Sequence, residues 1–147
     1  MTNIQSNNNM DRLGALVSII IPMFNEEESV ASLAERLTVV LANYENQFEV
    51  IVVDDGSLDG TLEQLQNWQK RDDRVVIVKL SRNWGHQNAF NAGLDIATGQ
   101  AIIFMDGDLE DPPEIIGELL TGWVEGYDTV YTVKVSRHQS GLRKLLT

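Results

Sequence analysis

Three acidic residues at alternate positions, Asp106, Asp108 and Glu110, follow directly after the apolar run Ala101–Met105. Carboxylates this close along a chain repel one another unless a cation lies among them. A hard divalent cation such as Mg²⁺ or Mn²⁺ takes oxygen ligands of this kind, usually one or two carboxylates together with substrate phosphates. The pattern therefore predicts a site for Mg²⁺ or Mn²⁺ that also receives a diphosphate. The alternative is that Asp111 caps a helix while the other acids are solvated in a loop.

A second polar group, Asp54 and Asp55 followed by Gly56, comes after the apolar run Phe48–Val53. A carboxylate at the end of a strand can accept a hydrogen bond from the N–H of a uracil or guanine ring. Gly56 allows the backbone to turn tightly towards such a base. The group indicates a base pocket, with a simple Asp-Gly turn as the alternative.

Further candidates follow the first and third apolar runs. Pro22 ends the first run, so its backbone can line a base pocket. Asn25 is expected to cap the next helix, with Glu28 completing a capping box and Glu26 favoured by the helix dipole. Arg82, after the third run, is a candidate contact for a diphosphate, with a surface arginine as the alternative.

The elements that position these residues are predicted by a regular alternation of short apolar runs and amphipathic stretches. Strands are predicted over residues 17–22, 48–53, 74–80, 101–105 and 128–133, with helices between them. Because the runs are continuously apolar, they are expected to be buried on both faces in a parallel sheet. Repeated strand–helix units predict an α/β, Rossmann-like fold, a mostly parallel sheet flanked by helices. Ligands bind such a sheet outside the carboxyl ends of its strands, where all the candidate residues lie.

The predicted helices differ in their apolar faces. The third, residues 86–97, is rich in small residues, and the fourth is expected to be capped by Asp111 and to have two prolines in its first turn, where they cost least. The face of the first helix is formed by Val30, Leu33, Leu37, Val40 and Leu41. The face of the second helix is formed by Leu58, Leu62, Leu65 and Trp68.

Composition limits the class of protein. The chain of 147 residues, 43% hydrophobic and 22% charged, suits one soluble globular domain. No apolar run approaches the ~20 residues needed to span a bilayer, so we expect a soluble, cytoplasmic chain. The lack of cysteine excludes disulfides and thiolate metal sites. Residues 1–15 are predicted to be a disordered lead-in and residues 16–147 an incomplete domain, because the sequence stops inside an uncapped amphipathic stretch.

The formal net charge of −11 is unevenly distributed. Every acidic residue precedes Lys134, and the segment Lys134–Thr147 carries only basic charge. A body this acidic argues against nucleic acid as a partner, because phosphate binding is driven by Lys and Arg. The basic end could face the phosphates of a membrane surface or be a solvated helix end.

Five segments resemble, in order, the signature motifs of family 2 glycosyltransferases. They are Ile-Pro-Met-Phe-Asn-Glu-Glu at 21–27, Val-Val-Asp-Asp-Gly-Ser-Leu-Asp-Gly-Thr at 52–61, Leu-Ser-Arg-Asn-Trp-Gly at 80–85, Ala-Gly-Leu-Asp-Ile-Ala-Thr-Gly at 92–99 and Met-Asp-Gly-Asp-Leu-Glu-Asp-Pro-Pro-Glu at 105–114. The resemblance covers residues 16–147. It is greatest to the polyprenyl-phosphate hexosyltransferases, the branch that includes dolichol-phosphate mannose synthases and bactoprenol glucosyltransferases.

The resemblance implies a GT-A fold, a UDP- or GDP-sugar donor and a polyprenyl phosphate acceptor, with the full-length protein at the inner face of the cell membrane. It implies that the domain continues into an acceptor half and membrane helices that this sequence lacks. Asp108 and Arg137 are the implied catalytic residues, with Lys134 near the acceptor phosphate. The implied nucleotide-binding residues are Pro22, Asn25, Glu26, Asp54, Asp55, Arg82 and Asp106, and the implied metal ligands are Asp106, Asp108 and Glu110.

Three positions depart from the pattern of that family. Gly107 stands where Ala is usual, Glu110 where Gln is usual and His86 where Lys is more frequent. The added charge of Glu110 affects the expected metal preference. Neither His86 nor His138 is assigned to a metal.

Transfer would proceed by direct attack of the ionised acceptor phosphate on the anomeric carbon, with inversion, while the cation neutralises the leaving nucleoside diphosphate. A dehydrogenase is excluded because the G-x-G-x-x-G turn is missing, and a signalling receiver because its lysine would lie one strand–helix unit further on. Two alternatives stay open: a module that binds nucleotide sugar without transferring it, and a family 2 transferase with a saccharide acceptor. An open sheet edge favours self-association into a homo-oligomer.

Overall fold

A computed structural model describes residues 11–44 and 47–133 of the chain. The strands in this range are β1 (Leu16–Met23), β2 (Gln47–Asp54), β3 (Val75–Lys79) and β4 (Ala101–Phe104). They form one parallel sheet in the order β3-β2-β1-β4. The helices are α1 (Glu27–Leu41), α2 (Thr61–Gln69), α3 (His86–Ile96) and α4 (Ile116–Val124), with a 3-10 turn at Pro113–Ile115 before α4. The predicted α/β fold, a parallel sheet flanked by helices, is confirmed.

The register of the sheet brings the ends of neighbouring strands together. Met23 at the end of β1 lies opposite Asp54 at the end of β2. On the other side of β1, Ile20 pairs with Phe104, and the N–H of Met105 donates to the Ile20 carbonyl. The carboxyl ends of these strands therefore share one edge, which is where a ligand binds a parallel sheet.

The central strands β1 and β2 are buried on both faces over most of their length, as their continuous apolar character predicts, whereas β3 and β4 are only partly buried, with Val76 38% and Phe104 53% exposed. Ile19 and Ile21 pack on one face against α1, α2 and α4, whereas Ile20 and Ile51 pack on the other face against α3. Each such side chain contributes roughly 1.5–3 kcal/mol when it is fully buried. All five apolar residues predicted for the face of α1 are buried, which confirms that prediction.

Helix α3 lies close to the sheet because its contact residues are small. A Cβ atom added at Gly93 would come within 2.5 Å of the Ile20 Cγ2 atom. Ala89, one turn earlier, is fully buried. The small-residue character predicted for this helix therefore sets its distance from the sheet.

The predicted fifth strand is wrong. Residues 128–133 contain no strand, although the structure describes all of them. Tyr131 and Val133 are 78% and 71% exposed, so their side chains gain none of the burial that makes β-branched and aromatic residues favour strands. The segment instead borders a cavity of about 600 Å³ beside β4, together with α4.

Two predicted helix details are also wrong. Leu58 lies before α2 and is 90% exposed, whereas Leu65 and Trp68 are buried as predicted. The turn that leads into α4 has Pro112, not Asp111, at its N-cap position. The reason is that a residue before proline avoids the helical region, so Pro112 is extended and the turn begins at Pro113. Among the described helices, none combines the length and apolar character that crossing a bilayer requires.

Candidate active site

A cavity of about 370 Å³ opens at the carboxyl edge of the sheet. Residues from the loops after all four strands line it, so the topology gathers side chains that are far apart in the sequence. The loop between β3 and α3 contributes Asn83 and Gly85, and α3 contributes its first residue, His86. The predicted site residues that line the cavity are Pro22, Glu26, Asp55, Asp106 and Asp108.

Other predicted site residues lie elsewhere. Asn25, Asp54, Arg82 and Glu110 are outside the lining of this cavity. Arg137, predicted to be catalytic, and Lys134 lie outside the residues that the structure describes. The cavity is therefore lined by only some of the residues predicted to bind the nucleotide and by two of the three predicted metal ligands.

Asp55 fixes the loop between β3 and α3. The side chain is 3% exposed, its Oδ1 accepts the N–H of Trp84 at 2.8 Å, and its Oδ2 accepts the N–H of Gly85 at 2.9 Å. Gly56 packs against the same loop with φ +74°, and a Cβ atom there would collide with the backbone of Arg82. The pair Asp55 and Gly56 thus joins the loops after β2 and β3 on one side of the cavity.

Asp54 is buried instead of lining the cavity. Its Oδ1 accepts the N–H of Ser57 at 3.0 Å, and its Oδ2 is buried with no hydrogen-bond partner among the described residues. A buried acceptor without a donor costs free energy, which a ligand or water donor can offset. Asp55 is therefore the carboxylate of this pair that borders the cavity.

Asn25 joins two loops and does not cap α1. Glu26 takes the N-cap position, where the structure shows no capping hydrogen bond from a side chain. The N–H of Asn25 donates to Ser57 Oγ at 3.0 Å, and the N–H of Leu58 donates to Asn25 Oδ1 at 2.9 Å. Asn25 has φ +56°, a left-handed conformation that asparagine tolerates better than most residues. This reciprocal contact between loops replaces the predicted cap.

Thr61, the first residue of α2, holds Glu26 at the edge of the cavity. Its hydroxyl oxygen accepts the N–H of Glu26 at 2.8 Å and its hydroxyl donates to Asp59 Oδ1 at 2.6 Å. Although partial desolvation raises the pKa of Asp59, hydrogen bonds from Thr61 and from the N–H of Glu27 lower it below its ordinary value. The Asp59 carboxylate therefore stays ionised beside the starts of both helices.

Arg82 is exposed and stacked. Its guanidinium carbon lies 3.8 Å from the centre of the Trp84 ring, a cation–π contact on the loop that Asp55 holds. Both side chains reach into solvent next to the cavity lining of Asn83 and Gly85. A diphosphate contact by Arg82 would require the side chain to leave the Trp84 ring.

The acidic motif brings two of its three carboxylates to the cavity. Asp106 and Asp108 line it, whereas Glu110 is exposed outside the lining. The predicted set of three ligands is therefore not gathered, and within residues 11–44 and 47–133 no group of three acidic, histidine or cysteine side chains forms a metal cage. The cause is a tight turn in which Asp108 Oδ1 accepts the N–H of Glu110 at 2.9 Å and Leu109 has φ +63°.

The donor set at the cavity nevertheless fits a hard cation. Mg²⁺ usually binds through one or two carboxylates and completes its coordination with substrate phosphates and water. Asp106 and Asp108 are two such carboxylates on one wall of the cavity. They suit Mg²⁺ or Mn²⁺ that arrives with a diphosphate better than a metal enclosed by protein ligands alone.

His86 lines the cavity, although the sequence pattern predicted no role for it. It is the first residue of α3, and its Nε2 lies 3.3 Å from Asp106 Oδ1. Its position directly after the loop that follows β3 was the available signal, because the predicted site residues all lie in such loops at the carboxyl ends of strands.

The family model described as glycosyl transferase family 2 matches residues 18–145. Two curated relatives are the uncharacterised glycosyltransferase sll0501 of Synechocystis sp., 48% identical over 121 residues, and the uncharacterised glycosyltransferase YkcC of Bacillus subtilis, 43% identical over 120 residues. Each comparison covers 82% of this chain, which spans 38% and 37% of the length of these relatives.

Solved structures share the fold. The mannosyltransferase PcManGT of Pyrobaculum calidifontis, in complex with GDP-Man and Mn²⁺, matches with a TM-score of 0.57 and 27% identity over 63% of this chain and 27% of its own. TarS of S. aureus in complex with UDP-GlcNAc matches with a TM-score of 0.53 and 30% identity over 63% of this chain and 26% of its own. Mannosyl-3-phosphoglycerate synthase of Rubrobacter xylanophilus, at 18% identity and a TM-score of 0.61 over 76% of this chain and 38% of its own, shows the fold alone.

Proposed function

Because the chain belongs to glycosyl transferase family 2, we propose that its cavity binds a UDP- or GDP-hexose together with Mg²⁺ or Mn²⁺. The observation that carries this proposal is the meeting of Asp106 and Asp108 with Pro22, Glu26 and Asp55 around one cavity. The first two side chains suit a cation and a diphosphate, and the others suit a base and ribose. The nucleoside diphosphate of the donor would span the two groups.

The proposed donor agrees with what similar proteins bind. PcManGT was solved with GDP-Man and Mn²⁺, and TarS with UDP-GlcNAc. In this chain the unpartnered oxygen of Asp54 is buried outside the cavity lining, so it would accept an N–H of the base only through an intervening water or after the neighbouring loops move. Asn25 would act indirectly, by holding the two loops that border the base. Arg82 would turn from the Trp84 ring to contact the diphosphate.

Asp106 and Asp108 would hold the cation, which supplies the Lewis acidity that neutralises charge on the leaving diphosphate. Glu110 would join them only if its turn opened, because Asp108 accepts the N–H of that residue.

The proposed reaction is transfer of the hexose to a polyprenyl phosphate. An oxygen of the ionised acceptor phosphate would form a bond to the anomeric carbon as the bond from that carbon to the diphosphate oxygen breaks. The electron pair would leave with the nucleoside diphosphate, and the configuration would invert. No strong general base is needed, because the acceptor phosphate is ionised at neutral pH. Lys134 and Arg137 would contact that phosphate.

The same cavity suits two other functions that the acceptor decides. One is a transferase with a saccharide acceptor, and the other is a module that binds the donor without transferring its sugar.

For the polyprenyl phosphate acceptor, we propose that the whole protein works at the inner face of the cell membrane. Self-association would use the outer edge of β4, which pairs with no strand among the described residues. Turnover with a polyprenyl phosphate, compared with a saccharide, separates these functions.

Calorimetric titration with UDP, GDP, UDP-glucose and GDP-mannose, each with and without Mn²⁺, tests donor binding. We expect one nucleotide class to bind with Mn²⁺, and Asp108→Ala to weaken that binding at least about 10-fold by removing a ligand. Asp95→Ala is the matched control, since Asp95 is exposed near the other end of α3, about 13 Å along the helix from His86. A folded chain that binds none of the four compounds would contradict the proposal.

A further inference from the structure

One contact in the wall of the cavity, between His86 and Asp106, is not used by the proposed reaction. The His86 Nε2 atom lies 3.3 Å from Asp106 Oδ1, and both side chains are about half exposed, at 58% and 47%. Both residues line the cavity, so a bound donor would lie against this pair. The contact joins the helix after β3 to the loop after β4.

We propose that His86 is a positioning residue that fixes the orientation of the Asp106 carboxylate towards the cation and diphosphate of the donor. This inference rests on the proposed function. An N–H at Nε2 would hold Oδ1 of Asp106, and the second carboxylate oxygen would remain for the ligand. Contacts of this kind to a ligating carboxylate set its direction and basicity.

The position of the imidazole is fixed from two sides. The preceding residue, Gly85, has φ +92° and donates its N–H to Asp55 Oδ2, so the start of α3 is tied to the loop after β2. The ring of His86 packs edge-on against Phe90, with centres 4.5 Å apart. The imidazole is therefore held by its backbone and by its ring, as a residue that positions another must be.

The same rings extend to the strand that carries the carboxylate. Phe90 packs edge-on against Phe104, with centres 4.9 Å apart, and Phe104 lies two residues before Asp106. The rings of His86, Phe90 and Phe104 thus form a continuous link between α3 and β4. This link holds the imidazole and the Asp106 carboxylate in a fixed relative position, because edge-on aromatic pairs favour a defined geometry.

Two substitutions distinguish the role of the N–H group of His86 from the role of its aromatic ring. His86→Phe keeps an aromatic ring against Phe90 but removes the N–H, whereas His86→Gln keeps an N–H donor at similar reach but removes the ring. Binding of Mn²⁺ to the complex of the chain with UDP or GDP is measured by electron paramagnetic resonance. Binding of the nucleotide without metal is measured by calorimetry, and thermal unfolding confirms that each variant is folded.

We expect His86→Phe to weaken Mn²⁺ binding about 10- to 100-fold and His86→Gln to stay within about 3-fold of the unchanged protein. Nucleotide binding without metal should be equal in all three. In an Asp106→Asn background, His86→Phe should add no further loss, because the carboxylate that it positions is gone.

Other results would overturn the inference. Unchanged Mn²⁺ binding in His86→Phe would show that the contact positions nothing. A loss that persists in the Asp106→Asn background, or that appears without metal, would show that His86 contacts the donor itself. If the unchanged protein binds neither nucleotide, the proposed function fails and the inference fails with it. If the unchanged protein binds nucleotide and Mn²⁺ and the His86→Phe variant binds Mn²⁺ equally well, only the inference fails.

Discussion

Asp55 serves the fold and the site with the same side chain. Each of its carboxylate oxygens accepts a backbone N–H from the loop after β3, and the residue also lines the cavity. A group that accepts two hydrogen bonds while almost fully buried is sensitive to any loss of acceptor capacity. The shape of the cavity therefore depends on both oxygens of this side chain acting as hydrogen-bond acceptors.

We expect Asp55→Asn to lower the free energy of unfolding by about 2 kcal/mol, because the amide nitrogen would face an N–H group that it cannot accept. The same variant should weaken nucleotide binding, since the loop after β3 would shift. Urea unfolding and calorimetric titration measure the two effects. Asp73→Asn, which makes the same change of charge outside the cavity lining, is the control. Equal stability of the two variants would contradict the role given to Asp55.

The sequence predicts which residues lie at the binding site better than it predicts which residues they contact. Asp106 and Asp108 were predictable because acids that directly follow a buried strand lie at the ligand-binding edge of a parallel sheet. Asn25 was predicted to cap a helix because its true partners, Ser57 and Leu58, lie more than thirty residues away in the sequence. His86 was missed because a single histidine carries no spacing signal, and its contact with Asp106 exists only in three dimensions.

The loops after the strands are the elements that build the cavity, and they support one another. The loop after β1 is bound to the loop after β2 through Asn25, and the loop after β2 is bound to the loop after β3 through Asp55. Gly56 lets the last two loops pack closely, because a Cβ atom there would collide with the backbone of Arg82. A substitution that shifts one loop should therefore also shift the loops that it contacts.

We expect Gly56→Ala to destabilise the protein more than Gly14→Ala does. Both residues have left-handed φ, of +74° and +78°, so both changes carry conformational strain of roughly 1–2 kcal/mol. A Cβ atom at Gly14 meets nothing within 4 Å, whereas one at Gly56 meets the Arg82 backbone. Chemical unfolding should show a loss for Gly56→Ala at least about twice that for Gly14→Ala. Equal losses of unfolding free energy in the two variants would mean that the loops after β2 and β3 move apart without cost.

The sequence predicts elements well where burial alone determines them. The four observed strands agree with the predicted ones to within one residue at each end, because continuous apolar runs favour burial in a parallel sheet, although the edge strands β3 and β4 are only partly buried. The segment 128–133 has an equally suitable composition but no pairing strand among the described residues, and it forms no strand. Periodicity likewise placed Leu58 in a helix face, although the helix begins only at Thr61.

The whole molecule carries a net charge of −11, and several of its acids are held ionised by hydrogen bonds. A side-chain hydrogen bond from Arg74 lowers the pKa of Asp72. For Glu49, desolvation raises the pKa, but hydrogen bonds from Ser18 and from Thr98 lower it overall. Because the folded-state pKa lies below the unfolded value, the stabilisation is present above about pH 4 and is lost as the pH falls through the folded-state pKa.

Asp72→Asn should therefore destabilise the protein in a pH-dependent way. We expect a loss of about 1 kcal/mol at pH 7, since the carboxylate binds the Arg74 guanidinium at 2.7 and 2.8 Å beside the start of β3. The difference from the unchanged protein should shrink as the pH falls below about 4, where the carboxyl becomes protonated. Urea unfolding at several pH values measures it, with Asp73→Asn as the control. A difference that grows towards acid would reverse the assigned sign.

The close approach of Gly93 to Ile20 has a consequence for how such a site can change over evolutionary time. Gly93 sets the height of α3 seven residues, or about 10 Å, from His86 at the beginning of the same helix. A methyl group added there would push the helix away from the sheet and move the imidazole away from Asp106 without replacing any residue that lines the cavity. If His86 positions Asp106 as inferred, a substitution at this one core position would therefore weaken cation binding in related chains while every residue that lines the cavity stays the same.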